Sequence, residues 1–205
     1  MHKPKLSYII NHRSSTHYRV RNLEAVVTYL LANVPDIEII VVEQDVVSKV
    51  KFPYHNIKHI FLPNGGLFNR SWGFNVGLKH ASHELLAFGD NDLLVSKDAI
   101  IQACSLCTTH HTISPYKTGE VYDLDESQTC DFIKKPVFIN PPDATKRLGP
   151  YAGGLILMTR HAINTVGGWE EQMWGWGGED DHMTIKIVKL LHNLPETRNI
   201  ALHLN

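Results

Sequence analysis

The chain has 205 residues, 43% hydrophobic and 20% charged, an ordinary globular composition at a length where one domain is the default. Twenty basic against 21 acidic side chains leave a formal charge of -1. No bulk field therefore draws the protein to nucleic acid, and an anionic ligand has to be held by local groups. Three cysteines, Cys104, Cys107 and Cys130, form an odd set with no second Cys-x-x-Cys pair, which argues against a disulfide framework and for a reducing compartment. Of the two readings of Cys104 and Cys107, half a zinc site or two small hydrophobes on one helix face, the second is preferred. No stretch has the layout of a signal peptide, and no apolar run approaches the roughly 18 residues of a spanning helix. The expectation is a cytoplasmic protein, and the 13 histidines are scattered.

In chain order, LSYII (6–10) is a short apolar strand followed by polar NHRSST. Apolar residues at Leu23, Val26, Val27, Leu30 and Leu31 then keep helical spacing. IEIIVVEQD (37–45) is a β-branched strand that turns acidic at its end. Strand, helix, strand makes a βαβ unit, with a parallel sheet whose ligand edge lies at the carboxyl ends of the strands, here Asn11-His12-Arg13 and Glu43-Gln44-Asp45. IKHIFLP (57–63) reads as a third strand, Phe68 to Lys79 as a helix, and ELLAFGDND (84–92) as a strand that again ends in acids. Residues 105–150 have weak periodicity and read as loops and short edge strands. Residues 153–169 read as a strand and a short helix ended by Gly167-Gly168. DHMTIKIVKLLHN (181–193) reads as a helix with Ile185, Val188 and Leu191 on one side. There are no repeats or linkers, so one domain covers 1–205.

Two acidic segments carry the chemistry. In Gly89-Asp90-Asn91-Asp92, a continuing strand would put Asp90 and Asp92 on one face about 7 Å apart, and two such carboxylates call for a cation. An acidic turn closing the strand is the other reading. In WGWGGEDDHM (174–183), acids at a helix start are stabilised by free N–H groups and the macrodipole, which accounts for one or two of Glu179, Asp180 and Asp181. A third adds repulsion. Trp174 and Trp176, set among glycines, offer faces for a sugar ring, and a neighbouring carboxylate is where a sugar hydroxyl would be held or deprotonated.

Tyr151-Ala152-Gly153-Gly154, Gly167-Gly168-Trp169 and WGWGGEDDHM, with Phe68-Asn69-Arg70 and Asn75-Val76-Gly77 upstream, resemble the signature segments of the β-1,4-galactosyltransferase family. The resemblance spans most of the chain, residues 105–150 excepted. It implies a GT-A fold: α/β, with a Rossmann-like nucleotide-binding half (1–104) joined to an acceptor-binding and catalytic half (105–205) in one mixed sheet flanked by helices. It also implies a UDP-sugar and Mn²⁺.

Carried over residue by residue, Asp92 is the implied metal ligand, with Asp90 near the ribose or a metal-bound water. The implied histidine ligand is His203. A family methionine three residues before it is replaced here by Ile200. An imidazole donor suits Mn²⁺ better than Mg²⁺. Asp180 matches the catalytic base of an inverting transfer, and Glu179 and Asp181 would hold acceptor or donor hydroxyls. Trp176 would cover the sugar and Gly154 would let the backbone approach it. Asn11, Arg13, Phe68 and Arg70 fall on the nucleotide side. Asp45 would meet uracil or ribose, or else sit in a solvated turn. Tyr151 would read the donor's C2 substituent and favour UDP-galactose or UDP-glucose over an N-acetylated sugar.

The expected activity is transfer of a hexose to a saccharide or glycolipid acceptor in surface polysaccharide synthesis at the inner face of a membrane. The alternatives are a metal-dependent hydrolase and a non-catalytic sugar-binding module.

Overall fold

The computed structural model describes residues 5–52, 57–118, 120–141, 144–147, 149–175 and 177–205. Ten strands and six helices are found among them. Strand β1 (Leu6–His12) is buried along its whole length, as expected of a parallel strand covered on both faces. Helix α1 (His17–Asn33) starts at Thr16, whose hydroxyl accepts from the Arg19 N–H at 3.3 Å, and it buries Leu23, Val26, Val27 and Leu30. Strands β2 (Glu38–Asp45), β3 (Ile57–Pro63) and β4 (Leu85–Gly89) run parallel to β1, and helix α2 (Arg70–His80) crosses between β3 and β4.

Strand β5 (Leu93–Val95), helix α3 (Lys97–His110), strands β6 (Thr112–Ile113) and β7 (Val121–Asp123), helix α4 (Glu126–Lys134) and strand β8 (Thr145–Arg147) follow. Strand β9 (Leu155–Thr159), helices α5 (Arg160–Thr165) and α6 (Glu179–Leu191) and strand β10 (Ala201–His203) complete the chain. A six-stranded mixed sheet has the order β3-β2-β1-β4-β9-β6, with β9 antiparallel to β4. The two halves expected from the sequence therefore share one sheet. A second, four-stranded sheet, β5-β10-β7-β8, which the expectation of a single sheet did not contain, crosses the same two halves.

One core lies under α1 and α3 and includes Leu23, Leu30, Ile39, Ala103 and Leu157. The other lies under α2, α5 and α6, centred on Phe74, Phe88 and Trp169, whose ring centroids are 4.8–5.6 Å apart. Each large side chain so enclosed stabilises the fold by roughly 1.5–3 kcal/mol relative to exposure. Cys104 and Cys107 are buried hydrophobes of α3, their thiols pushed up to about 12 by desolvation.

Three expectations needed correction. The strand over 84–92 stops at Gly89, because the Asp90 N–H donates to the Gly154 carbonyl at 2.8 Å and the chain turns. Residues 105–150 contain the end of α3 and all of α4, which begins with a capping box between Asp125 and Gln128. Helix α6 buries Met183 and Ile187, while Ile185 and Val188 face solvent at 49% and 44% exposure.

Candidate active site

The carboxyl ends of β1 and β4, the start of α6 and the four-stranded sheet enclose a cleft of about 1080 Å³. Its walls contain most of the residues singled out in the sequence: Asn11, Arg13, Phe68, Arg70, Asp90, Asp92, Gly154, Glu179, Asp180, Asp181 and His203. Strand ends, a turn and a helix N-terminus thus bring together side chains up to 192 positions apart, from Asn11 to His203.

The Asp90–Asp92 turn is held by its backbone and by its middle residue. The Leu204 N–H donates to the Asp92 carbonyl at 2.7 Å. The Asn91 amide donates to His12 Nδ1 at 2.8 Å, and His12 Nε2 lies 2.9 Å from the Ser14 hydroxyl. Burial lowers the His12 pKa to about 4, so the ring is neutral at physiological pH, as an Nδ1 acceptor must be. The two aspartates are driven apart. Burial, aided by Asp92 and opposed by Arg70, raises the Asp90 pKa. Burial would raise Asp92 as well, but His203, Arg19 and Arg147 outweigh it and hold that carboxyl below its ordinary value. Asp92 is thereby charged and aimed at His203, with Oδ1 to Nε2 at 3.4 Å.

A donor set of one carboxylate and one imidazole fits a divalent cation that takes nitrogen as well as oxygen, Mn²⁺ before Mg²⁺. Two protein donors leave the remaining positions to ligand oxygens or water. Among the described residues no third His, Cys, Asp or Glu completes a metal-holding group. Ile200, at the position of the family's methionine, packs against the core.

Beside this turn, Arg70 is the centre of an acidic cluster. Its Nε donates to Asp90 Oδ1 at 2.9 Å and its Nη1 to Asp180, with Glu179 Oε1 3.6 Å from Nη1. Nη2 lies 2.8 Å from Asp90 Oδ1 but out of line for a hydrogen bond. The guanidinium also stacks 4.6 Å from the Phe74 ring and 5.6 Å from that of Trp169. The expectation that Arg70 offers itself to phosphate oxygens therefore meets a different arrangement: three carboxylates already take its charge. Burial raises the Asp180 pKa to about 6, with Asp90 and Glu179 acting in the same sense and Arg70 against them. At neutral pH Asp180 is thus a charged but basic carboxylate in the cleft wall.

The glycines have specific work here. Gly154 has φ +70, and a Cβ there would come within 2.6 Å of Leu93 Cδ1. Gly178 (φ 89) starts α6 without a side-chain cap, leaving Glu179, Asp180 and Asp181 in the first turn. Arg13 is spent on backbone, donating to the carbonyls of Gln44, Gly66 and Asn64 at 2.7, 2.8 and 3.1 Å while lying over the Phe68 ring. Asn69 and Asn75, from the Phe-Asn-Arg and Asn-Val-Gly segments, are ties: Asn69 caps α2 and reaches the Glu171 carbonyl, and Asn75 is bonded to both the N–H and the carbonyl of Trp169.

Two of the singled-out residues are not cleft residues. Asp45, the last residue of β2 and only 8% exposed, pairs with Lys49 at 2.9 Å and accepts from the Val46 N–H. Tyr151 is buried at 5% exposure, with its hydroxyl donating to the Pro195 carbonyl at 2.7 Å, so it does not reach a sugar in the cleft. Trp176 lies outside the described residues. Conversely, Arg19, Asn91, Tyr116, Asp123 and Arg147 line the cleft and were not singled out. Asp123 had a weaker form of the signal of the other acids, a short apolar stretch (Val121-Tyr122) ending in a carboxylate. Arg19 and Arg147 had none, since each pairs with an acid distant in sequence.

Residues 137–198 match the family model described as the N-terminal domain of galactosyltransferase. Human beta-1,4-galactosyltransferase 4 is 27% identical over 150 residues, covering 69% of this chain and 37% of the relative. Beta-1,4-galactosyltransferase 7 of Drosophila melanogaster is 29% identical over 136 residues, covering 63% and 34%. The chain thus spans about a third of the length of these curated relatives. Among solved structures, a mutant of Drosophila beta-1,4-galactosyltransferase 7 in complex with manganese, UDP-Gal and xylobiose superposes with a TM-score of 0.53 at 21% identity, covering 96% of this chain and 65% of that one. A mannosyltransferase of Pyrobaculum calidifontis in complex with GDP-Man and Mn²⁺ gives a TM-score of 0.65 at 15% identity, covering 100% and 57%. The fold is that of the GT-A glycosyltransferases. Within that class the chain is galactosyltransferase-like, by the matched segment and by these relatives.

Proposed function

We propose that the chain carries the donor-binding and catalytic machinery of a divalent-cation-dependent, inverting glycosyltransferase that moves a hexose from a UDP-sugar to a saccharide hydroxyl. The observation that carries this reading is the meeting, in one cleft, of the Asp92–His203 pair and a basic carboxylate, Asp180. Asp92 and His203 would hold Mn²⁺, which, when bound, neutralises charge developing on the diphosphate. Asp180 accepts the proton of the acceptor hydroxyl as that oxygen forms its bond to the anomeric carbon. The bond from that carbon to the phosphate oxygen breaks with its electron pair, and UDP departs.

Arg70 orients Asp180 through Nη1 and holds Asp90 through Nε. Arg19 and Arg147, whose side chains are 49% and 44% exposed, supply the cations nearest the Asp92 end of the cleft. The cleft, about 1080 Å³, stands at the upper end of the roughly 300–1,000 Å³ typical of ligand pockets, room enough for a nucleotide-sugar donor. UDP-galactose is the first donor to test, because the relatives are named as galactosyltransferases. A saccharide or glycolipid of a surface polysaccharide is the acceptor class, and the three free cysteines accord with a cytoplasmic setting.

The test is UDP release from UDP-galactose with Mn²⁺ across a panel of saccharide acceptors. Acceptor-dependent release, lost in Asp180→Asn while UDP binding persists, supports the transferase. Equal release without acceptor would indicate a hydrolase, and UDP-sugar binding with no turnover on any acceptor would indicate a binding module.

A further inference from the structure

Helix α2 begins against the carboxyl ends of β1 and β2, and two buried amide side chains there bind its first residues. Gln44, next to last in β2 and wholly buried, donates from Nε2 to the Asn69 carbonyl at 2.7 Å. Its Oε1 accepts from the Asn69 N–H and from the Asn64 amide, both at 3.1 Å. Asn11 Nδ2, on β1, donates to the Arg70 carbonyl at 2.7 Å. Gly73 makes this approach possible: a Cβ there would lie 1.7 Å from Asn11 Oδ1 and 2.7 Å from Gln44 Nε2.

These bonds exceed what the helix itself needs. Asn69 already caps α2 through the Trp72 N–H at 2.8 Å, and its carbonyl already takes the Gly73 N–H at 3.2 Å. The residue that gains is Arg70, whose long side chain has many rotamers to lose. Its guanidinium end is held by the rings of Phe74 and Trp169, and its backbone end by the amides from the strands. We propose that Gln44 is a positioning residue: with Asn11 it seats the Asn69–Arg70 backbone on the strand ends and so aims the Arg70 guanidinium at Asp180. This rests on the reading of Asp180 as the base. Gln44 does not line the cleft, so its route to the base runs through Arg70. The groups facing Asp180 are Arg70 from α2, Asp90 from the turn after β4 and Glu179 from its own helix, with the Tyr116 phenol nearby. Of these only Arg70 favours the ionised carboxylate, so displacing it raises the pKa of Asp180.

The experiment uses the full chain and two readouts: the acid limb of kcat/KM for acceptor-dependent UDP release, and ¹³C NMR titration of the Asp180 carboxyl in the metal-free protein. In the wild type both should centre near pH 6. Gln44→Met, close in length but unable to hold the Asn69 backbone, should move both upward by about one pH unit, since a neighbouring opposite charge is worth about 1–3. Asn11→Ala, which leaves the Gln44 hold in place, should move both in the same direction by less, and it decides alone should Gln44→Met fail to fold. Asp125→Ala, which loosens the start of α4 outside the cleft, should move neither, although it too lowers stability. Titrations that stay near 6 in the Gln44 and Asn11 variants, with only stability lost, would overturn the inference. An equal rise in Asp125→Ala would also overturn it, because general loosening would then be the cause. A wild type that titrates near 6 without acceptor-dependent UDP release would instead remove the base reading on which the proposal stands.

Discussion

Asp180 and Arg70 show how one buried guanidinium can organise the carboxylates of a cleft. Burial favours the neutral carboxyl of Asp180 and the Arg70 contact opposes it, so the group stays ionisable near pH 6. A base must be deprotonated to act. Turnover should therefore rise with pH through about 6 and level off above it, a limb that a pH profile of kcat/KM would show. Asp180→Asn should lower kcat by about 10²- to 10⁴-fold with UDP affinity retained, measured by turnover and calorimetry side by side. Removing Arg70 leaves Asp90, Glu179 and Asp180 without their shared cation. Arg70→Met should destabilise the fold by about 3–5 kcal/mol in urea unfolding, as expected when one partner of a buried ion pair is lost. Gly154→Ala combines a left-handed backbone with a 2.6 Å approach to Leu93, and a loss of about 1–3 kcal/mol is expected by the same measurement.

At the scale of elements, periodicity was a good guide wherever one helix face or a whole strand is buried. The β1-α1-β2 unit, α2, β9 and α5 lie close to where their apolar patterns place them. The pattern misled where a helix carries apolar residues on both faces: Ile185 and Val188 of α6 looked like core, yet packing chose Met183 and Ile187. Helix α4 was legible in principle, since Asp125 and Gln128 stand at the spacing of a capping box, but the Thr, Pro and Lys around it obscured the signal. That box gives a direct check. Asp125→Ala should cost about 1 kcal/mol of stability in thermal or chemical unfolding, with little effect on UDP binding.

Across the whole molecule, what could not be read locally is pairing between distant segments. Nothing near Val121-Tyr122-Asp123 announces β10 as its partner, and nothing near Arg70 announces Asp180, 110 positions away. The motif residues did mark the cleft, because glycines, acids and asparagines are kept where backbone geometry and hydrogen bonding demand them. Long-range pairing also governs acid stability. Glu38 on β2 accepts from Lys58 on β3, from Ser7 on β1, and from both the N–H and the hydroxyl of Ser82 before β4. Burial works against its charge, but these donors prevail and lower its pKa to about 2. A depressed acid contributes stability above its unfolded value of 4.5 and loses it as pH falls through about 2. Glu38→Gln should therefore be less stable than wild type by about 1 kcal/mol at neutral pH. The difference should vanish as pH falls from about 4.5 toward 2 in pH-dependent unfolding.

The reading of the cleft as a metal-assisted UDP-sugar site meets its most direct test in titration calorimetry of UDP, with and without Mn²⁺, on the wild type, Asp92→Ala and His203→Ala. Binding that requires Mn²⁺ and disappears in both variants is the expected result. UDP binding that is indifferent to Mn²⁺, or absent altogether, would contradict it.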